Sequence, residues 1–177
     1  MKTRQLFTPQ TLGRMLILAA LAMPFFANTQ NVIFPQLDQP GIASAASEDN
    51  AILLSNDILT ASFINDNGHL RFGGCPEMGL KAGTELFTIT LGDETTVVPA
   101  SEMTVTSWGL VPLTGDSNAT VASEKLNGQS LVATLTFGDL EFEWKAILRD
   151  GSHYIRTVLT LTAKADVAMH CIVPMSY

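Results

Sequence analysis

The densest group of residues capable of chemistry lies in the stretch 140–161, LEFEWKAILRDGSHYIRTVLTL. Six charged side chains and one histidine occur there within 16 residues: Glu141, Glu143, Lys145, Arg149, Asp150, His153 and Arg156. Paired carboxylates are the groups that a retaining glycosidase uses, at a carboxyl separation of roughly 5 to 5.5 Å. Residues i and i+2 of a strand lie roughly 6 to 7 Å apart on one face, so the spacing of the two glutamates does not exclude this chemistry.

The context of the two glutamates argues against catalysis. Catalytic carboxylates usually lie in pockets that perturb their pKa values. Here the glutamates alternate with Leu140, Phe142 and Trp144, which is the pattern of a strand with one solvated face. We expect Glu143 to form an ion pair across the sheet with Arg156, and we predict no catalytic residue. A small enzyme that uses the glutamate face is kept as a third hypothesis.

Two turns predict how these side chains are positioned. Gly138-Asp139 and Asp150-Gly151 both suit two-residue hairpin turns. The core-facing pairs that follow from the two turns include Leu135 with Phe142, Ala133 with Trp144, Trp144 with Thr157, and Phe142 with Leu159. Both turns place the same residues of the middle strand on the core face, whereas a slip of one residue would reverse every face. The sequence therefore predicts a three-stranded meander.

From residue 51 onward, β-branched and aromatic residues recur between turn signals spaced roughly ten residues apart, which is typical of an all-β sandwich. The predicted strands are 52–54, 58–65, 69–72, 85–91, 95–98, 103–110, 120–126, 130–137, 140–148, 153–162 and 167–173. Residues 51–177 are assigned to an antiparallel β-sandwich domain. Residues 28–50 lack periodicity and are interpreted as a leader or linker.

The N-terminus has the features of an export signal. Lys2, Arg4 and Arg14 precede an apolar run of 13 residues, 15–27. A spanning helix needs roughly 20 apolar residues, whereas the core of a signal peptide needs roughly 7 to 15. We interpret residues 1–27 as a signal peptide and expect an exported protein, periplasmic, cell-surface or secreted, without a stable membrane span. The cleavage site stays open, between Asn28 and Ser47.

Composition restricts the binding partners. The net charge is −7 and no basic run exceeds two residues, so nucleic acid is not expected as a partner. Trp108 and Tyr154 are the candidate residues for stacking on carbohydrate, although Trp108 also suits a core or rim position. Cys75 and Cys171 suit either buried apolar positions or a disulfide. His69, His153 and His170 lack the spacing of metal ligands, and we predict no metal and no cofactor.

Three segments carry a family resemblance: AILLSNDILTASFINDNGHLRFGG, GTELFTITLGD and EFEWKAILRDGSHYIRTVLTL. They resemble the N-terminal β-supersandwich domains of exported bacterial glycoside hydrolases, whose fold is similar to that of galactose mutarotase. The matching positions are Leu54, Asn56, Leu59, Gly68 and Leu70, then Tyr154, Ile155, Arg156, Leu159 and Leu161 after an Asp-Gly turn. The resemblance implies a non-catalytic domain that packs against a downstream catalytic barrel.

The resemblance also implies that the sandwich ends incomplete at Tyr177, since the related domains continue further. We expect an exported, non-catalytic domain associated with carbohydrate processing, as the N-terminal part of a glycoside hydrolase-like protein. The alternative is a free-standing extracellular module for carbohydrate binding or adhesion.

Overall fold

The computed structural model describes residues 38–176, apart from the side chain of Ser176, and this part of the chain is built almost entirely of strands. The strands are β1 (Ser44–Glu48), β2 (Ala51–Ser55), β3 (Thr60–Asp66), β4 (His69–Gly74), β5 (Glu85–Leu91), β6 (Val97–Pro99), β7 (Thr104–Leu113), β8 (Gly128–Phe137), β9 (Leu140–Arg149), β10 (Arg156–Ala163) and β11 (Met169–Ser176). They form sheet I (β1-β2-β3-β4), sheet II (β10-β9-β8-β7) and sheet III (β11-β5-β6), all antiparallel. The predicted all-β antiparallel sandwich is confirmed.

Aromatic side chains of β9 hold the core together. The ring centroid of Trp144 lies 5.4 Å from that of Phe63 on β3, which joins sheet II to sheet I. The ring centroid of Phe142 lies 5.4 Å from that of Phe87 on β5, which joins sheet II to sheet III. All four rings are buried, and both pairs are tilted, as aromatic pairs prefer. Sheet II therefore faces both of the other sheets across one core.

The hairpin of β8 and β9 has the predicted register. Leu135 lies opposite Phe142, and Ala133 lies opposite Trp144. The turn is Gly138-Asp139, and Gly138 adopts a φ of 55°, in the region that favours glycine. The predicted core face of β9 is buried at every position: Leu140, Phe142, Trp144, Ala146 and Leu148.

The predicted register of β9 and β10 is wrong by two residues. Trp144 lies opposite Leu159 rather than Thr157, because β10 begins only at Arg156. The six residues 150–155 form a loop whose backbone bonds leave the hairpin: the Asp150 N–H donates to Asn127 O, and the Gly151 N–H donates to Gly41 O. Because side chains alternate with period two, a shift of two residues keeps every side chain on its predicted face.

The domain includes residues before 51, so the leader interpretation is wrong for residues 44–48, while residues 28–37 lie outside the described residues. Strand β1 pairs with β2, Ser44 lying opposite Ser55 and Glu48 opposite Ala51. Its sequence, SAASE, carries little apolar signal, and its burial pattern is mostly exposed. Pairing with β2 and the burial of Ala43 at 5% exposure place this segment in the fold. The predicted signal peptide, residues 1–27, lies outside the described residues.

The predicted strand 120–126 is also wrong. Ala122–Lys125 forms a short 3-10 helix. Val121 and Leu126, which flank it, remain exposed, so the apolar residues that suggested a strand have no sheet to pack against. The Gly115 N–H donates to Asn127 Oδ1 and the Asp116 N–H donates to Glu124 O, which draw this segment into a compact loop before β8.

Within residues 38–176, no helix has the length and apolar character needed to cross a membrane.

Candidate ligand-binding cleft

The end of the β9–β10 hairpin forms a cleft on the outward face of sheet II, which we call the hairpin cleft. Its volume is about 270 Å³. One wall is the loop 150–155, and the other is the 3-10 segment that precedes β8. The residues that line it are Ala122, Ser123, Leu126, Ile147, Arg149, Asp150, Gly151, Ser152, His153, Tyr154 and Arg156. Part of the sequence stretch richest in ionisable groups therefore does line a concave site.

The loop that forms one wall is held by side-chain hydrogen bonds to two distant parts of the chain. Asp150 Oδ1 accepts a hydrogen bond from the Ala43 N–H at 2.9 Å. Asn56 Nδ2 donates to Ser152 O at 2.8 Å. These bonds reach across 107 and 96 residues of sequence, so the loop conformation depends on sheet I as well as on its own turn residues.

Tyr154 lies at the cleft with its side chain half exposed. The residue is 54% exposed and is among the most exposed large apolar or aromatic residues of the described chain. Ser152 fixes its backbone: Ser152 Oγ donates to Tyr154 O at 2.8 Å and lies 3.3 Å from the Tyr154 nitrogen. An exposed aromatic ring beside hydrogen-bonding groups can stack on a sugar ring or another flat apolar surface.

Two arginines line the same cleft. The Arg149 guanidinium donates through one nitrogen to Leu126 O, on the opposite wall. Arg156 Nη2 lies 3.9 Å from Glu124 Oε1, at the long end of ion-pair distance, and both side chains are 42% exposed. Residues 38–176 contain three arginines, and the third, Arg71, pairs with Asp66 on sheet I at 3.0 Å. The hairpin cleft therefore holds two of the three.

The two glutamates of β9 do not line the cleft. Glu143 lies 2.7 Å from Lys145, and Glu141 lies 3.0 Å from Lys164. The predicted Glu143–Arg156 ion pair is wrong, because the shifted register places Arg156 opposite Ile147, while Thr160 lies opposite Glu143. Each glutamate has a lysine partner on a half-exposed sheet face, and the acid in the cleft, Asp150, accepts a structural hydrogen bond.

The other predicted aromatic candidate, Trp108, is not part of the cleft. It lies on β7 opposite Ala133, whose side chain faces the core. Trp108 is half-buried and packs against the core. This position matches the core or rim alternative that its sequence context allowed.

The cysteines are both free thiols, so the alternative in which they form a disulfide is not realised in the structure. Cys75 is buried beside β4, and burial raises the pKa of its thiol. Cys171 is exposed on β11. Among residues 38–176, no cluster of three or more His, Cys, Asp or Glu side chains is placed to hold a metal.

A second cavity, on the core side of β10, has a different character. This apolar groove has a volume of about 380 Å³. It is lined by Ala61, Phe63, Phe72, Cys75, Met78, Gly79, Leu80, Ile155, Thr157 and Met175. Tyr154 and Ile155, neighbours in the loop just before β10, thus line two different cavities on opposite faces of sheet II.

Sequence reasoning singled out Tyr154 but did not identify the cleft around it. Arg156 was expected to pair with Glu143 on a solvated sheet face, and His153 was considered only as a metal ligand. A signal was present, because two of the three described arginines, a histidine and an exposed tyrosine lie within eight residues, 149–156. The second wall, from Ala122 to Leu126, could not be found because that segment was predicted to be a strand.

Comparison of the chain with protein-family models, with curated proteins and with solved structures finds no match.

Proposed function

We propose that this chain is an exported, non-catalytic β-sandwich domain that takes part in carbohydrate processing by binding sugar at the hairpin cleft. The observation that carries the proposal is the exposed ring of Tyr154 at a cleft that also holds hydrogen-bond donors. Sugars are commonly bound by a stacking aromatic ring with polar groups at its rim, because the ring matches their apolar face.

The chemistry of the cleft favours binding over hydrolysis. A glycosidase of the usual kind needs two carboxyl groups that flank the bond to be cleaved. Of the cleft residues only Asp150 carries a carboxyl group, and its Oδ1 already accepts the Ala43 N–H. Glu141 and Glu143 lie outside the cleft with lysine partners. Neither glutamate lines the hairpin cleft or the apolar groove, so neither cavity supports the third hypothesis, an enzyme that uses those glutamates.

Glycan binding by the full chain tests the proposal. We expect an array of plant, bacterial and animal glycans to identify at least one ligand, and we expect Tyr154→Ala to abolish its binding. Tyr154→Phe is the matched variant, because it keeps the ring and removes only the hydroxyl group, so most of the affinity should remain. Trp108→Phe, outside the cleft, should leave binding unchanged. Binding that survives Tyr154→Ala would overturn this assignment of the site.

The resemblance to glycoside hydrolase domains adds a second partner, a downstream catalytic domain. The apolar groove supports this part of the proposal, since core residues such as Phe63 and Phe72 line it together with Met78, which is 45% exposed. An apolar surface continuous with a core is typical of contacts between domains of one chain.

The gene beyond the codon for Tyr177 decides between the two forms of the proposal. A reading frame that continues into a catalytic barrel would support the accessory role. A stop codon at that point would support the free-standing module for carbohydrate binding or adhesion. Both outcomes leave the glycan-binding experiment as the test of the cleft.

A further inference from the structure

We propose that the hairpin cleft selects an acidic sugar, a hexuronate unit whose carboxylate binds Arg156 and Arg149 while its ring lies on Tyr154. This inference rests on the proposed function and specifies its ligand class. It is carried by the pairing of two guanidinium groups with an exposed aromatic ring in one small cleft.

Charge is distributed unevenly over the protein. The protein carries a net charge of −7, so its surface as a whole repels anions. Two of the three described arginines, Arg149 and Arg156, nevertheless line a single cleft. The acidic lining residue, Asp150, directs one oxygen to the Ala43 N–H. Asp150 is held in this way and Glu124 lies 3.9 Å from Arg156, so the two guanidinium groups are the cationic donors of the cleft, and they favour an anionic ligand over a neutral one.

The two guanidinium groups retain N–H donors that a ligand can use. Arginine has five N–H donors in a planar fork that matches a carboxylate. The bond from Arg149 to Leu126 O uses one nitrogen and fixes the group against the opposite wall. Arg156 has a contact with Glu124 at 3.9 Å that is long and solvent-exposed. Such a pair contributes little to stability, so a ligand carboxylate can replace Glu124 at small cost.

The size and the lining of the cleft suit a single sugar ring. Its volume of about 270 Å³ lies just below the roughly 300 to 1,000 Å³ typical of small-molecule sites, which suits one sugar ring rather than several. Leu126 and Ile147 supply apolar surface beside the ring of Tyr154. A free inorganic anion would use the arginines and leave this apolar surface without a partner. A hexuronate has an apolar ring face and a carboxylate, so it uses both parts.

Titration calorimetry on the full chain tests the inference with three probes: a galacturonic acid trisaccharide, the galactose trisaccharide with the same linkage, and inorganic sulfate. We expect the acidic trisaccharide to bind at least about tenfold more tightly than the neutral one, because its carboxylate can form an ion pair with the arginines and the neutral sugar has no such group. The affinity of the acidic trisaccharide should fall as salt is raised.

Two arginine variants test whether the acidic trisaccharide binds at the hairpin cleft. Arg156→Gln should weaken binding of the acidic trisaccharide about tenfold or more and weaken binding of the neutral one by a clearly smaller factor. Arg71→Gln is the matched control, since it removes an arginine whose ion pair lies on sheet I. It should change neither affinity. Thermal unfolding of both variants shows whether a loss of binding is a loss of fold.

Two outcomes would overturn the inference. Equal affinities for the acidic and neutral trisaccharides, both abolished by Tyr154→Ala, would refute the acidic ligand class and leave the proposed function in place. Sulfate binding equal to that of the acidic trisaccharide, insensitive to Tyr154→Ala, would show a site for free anions and refute both proposals.

Discussion

Strand β9 takes part in two hairpins that are built in different ways. The β8–β9 hairpin closes with the two residues Gly138 and Asp139, and its pairs continue without interruption from Phe137–Leu140 to Gly128–Arg149. The β9–β10 hairpin closes with the six residues 150–155, and its pairs begin at Ile147–Arg156. The first hairpin is set by its own turn, whereas the second is set by its neighbours.

The two strands that flank β9, β8 and β10, also differ in how deeply they are buried. Strand β8 has a neighbour on each side and alternates buried with half-buried residues, whereas β10 is an edge strand whose residues are half-buried or exposed. The loop before β10 uses its backbone and side-chain groups to contact residues 41–43, 56 and 127. The cleft exists because the chain between the two strands is longer than a tight turn requires.

The largest expected effect contrasts Leu135 with Leu161, which lie on either side of Phe142 in the two hairpins. Leu135 is fully buried, and Leu135→Ala should lower the free energy of unfolding by about 3 kcal/mol or more. Leu161 is half-buried on an edge strand, and Leu161→Ala should cost about 1 kcal/mol. Urea unfolding measures both, and equal losses would contradict the contrast.

The second-largest expected effect concerns the hydrogen bond from Asn56, between β2 and β3 of sheet I, to the loop 150–155. Asn56→Asp keeps the oxygen that accepts the Ile58 and Leu59 N–H groups but removes the amide donor to Ser152 O. We expect a loss of about 1 to 2 kcal/mol and faster amide exchange in residues 150–155.

A matched control for that variant is Asn65→Asp. Asn65 Oδ1 accepts the Gly68 N–H, and an aspartate preserves this acceptor. We expect little change in stability and no change in amide exchange at the loop. If Asn65→Asp accelerated exchange in 150–155 as much as Asn56→Asp does, the contact between Asn56 and Ser152 would not be what holds the loop.

A smaller loss of stability is expected on substitution of either of the two turn glycines. Gly138 has a φ of 55° and Gly151 a φ of 71°, and an added Cβ would meet no atom within 4 Å at either position. Gly138→Ala and Gly151→Ala should therefore each cost about 1 kcal/mol from backbone strain alone. Thermal unfolding measures the two losses. A much larger cost at Gly151 would mean that the loop tolerates less backbone adjustment than the tight turn.

The smallest effect concerns a third turn, after β5, that resembles the Gly138-Asp139 turn in being held by its own residues. The Thr96 hydroxyl and the backbone N–H groups of Thr96 and Thr95 donate to the Asp93 carboxylate and lower its pKa from 3.8 to about 2. Because the pKa of Asp93 is lower in the folded state than in the unfolded state, the ionised carboxylate stabilises the fold at pH values above about 4. This contribution is lost as the pH falls from about 4 to about 2. Asp93→Asn should flatten the pH dependence of stability in that window. An unchanged profile would show that the turn does not depend on the charge.

The sequence predicted the register of the hairpin that is set by its own turn, but not that of the hairpin that is set by its neighbours. The register of β8 and β9 was predicted residue by residue, because a Gly-Asp turn and strict alternation are both local signals. Asp150-Gly151 has equally good turn chemistry, yet the loop is longer because Asp150 and Gly151 bond to residues near position 42. Strand β1 was missed because its sequence, SAASE, has no apolar alternation and only its pairing partner defines it.

The sequence by itself determined the all-β class, the core face of β9 and the presence of an exposed tyrosine among charged residues. These depend on side-chain period and turn residues, which neighbouring positions encode. Only the tertiary structure decided that Arg149, Tyr154 and Arg156 share a cleft. Its two walls are the 3-10 segment Ala122–Lys125 and the loop 150–155, which are separated by strands β8 and β9 in the chain. They meet because β8 and β9 pair along their full length, and no local pattern in either wall encodes that meeting.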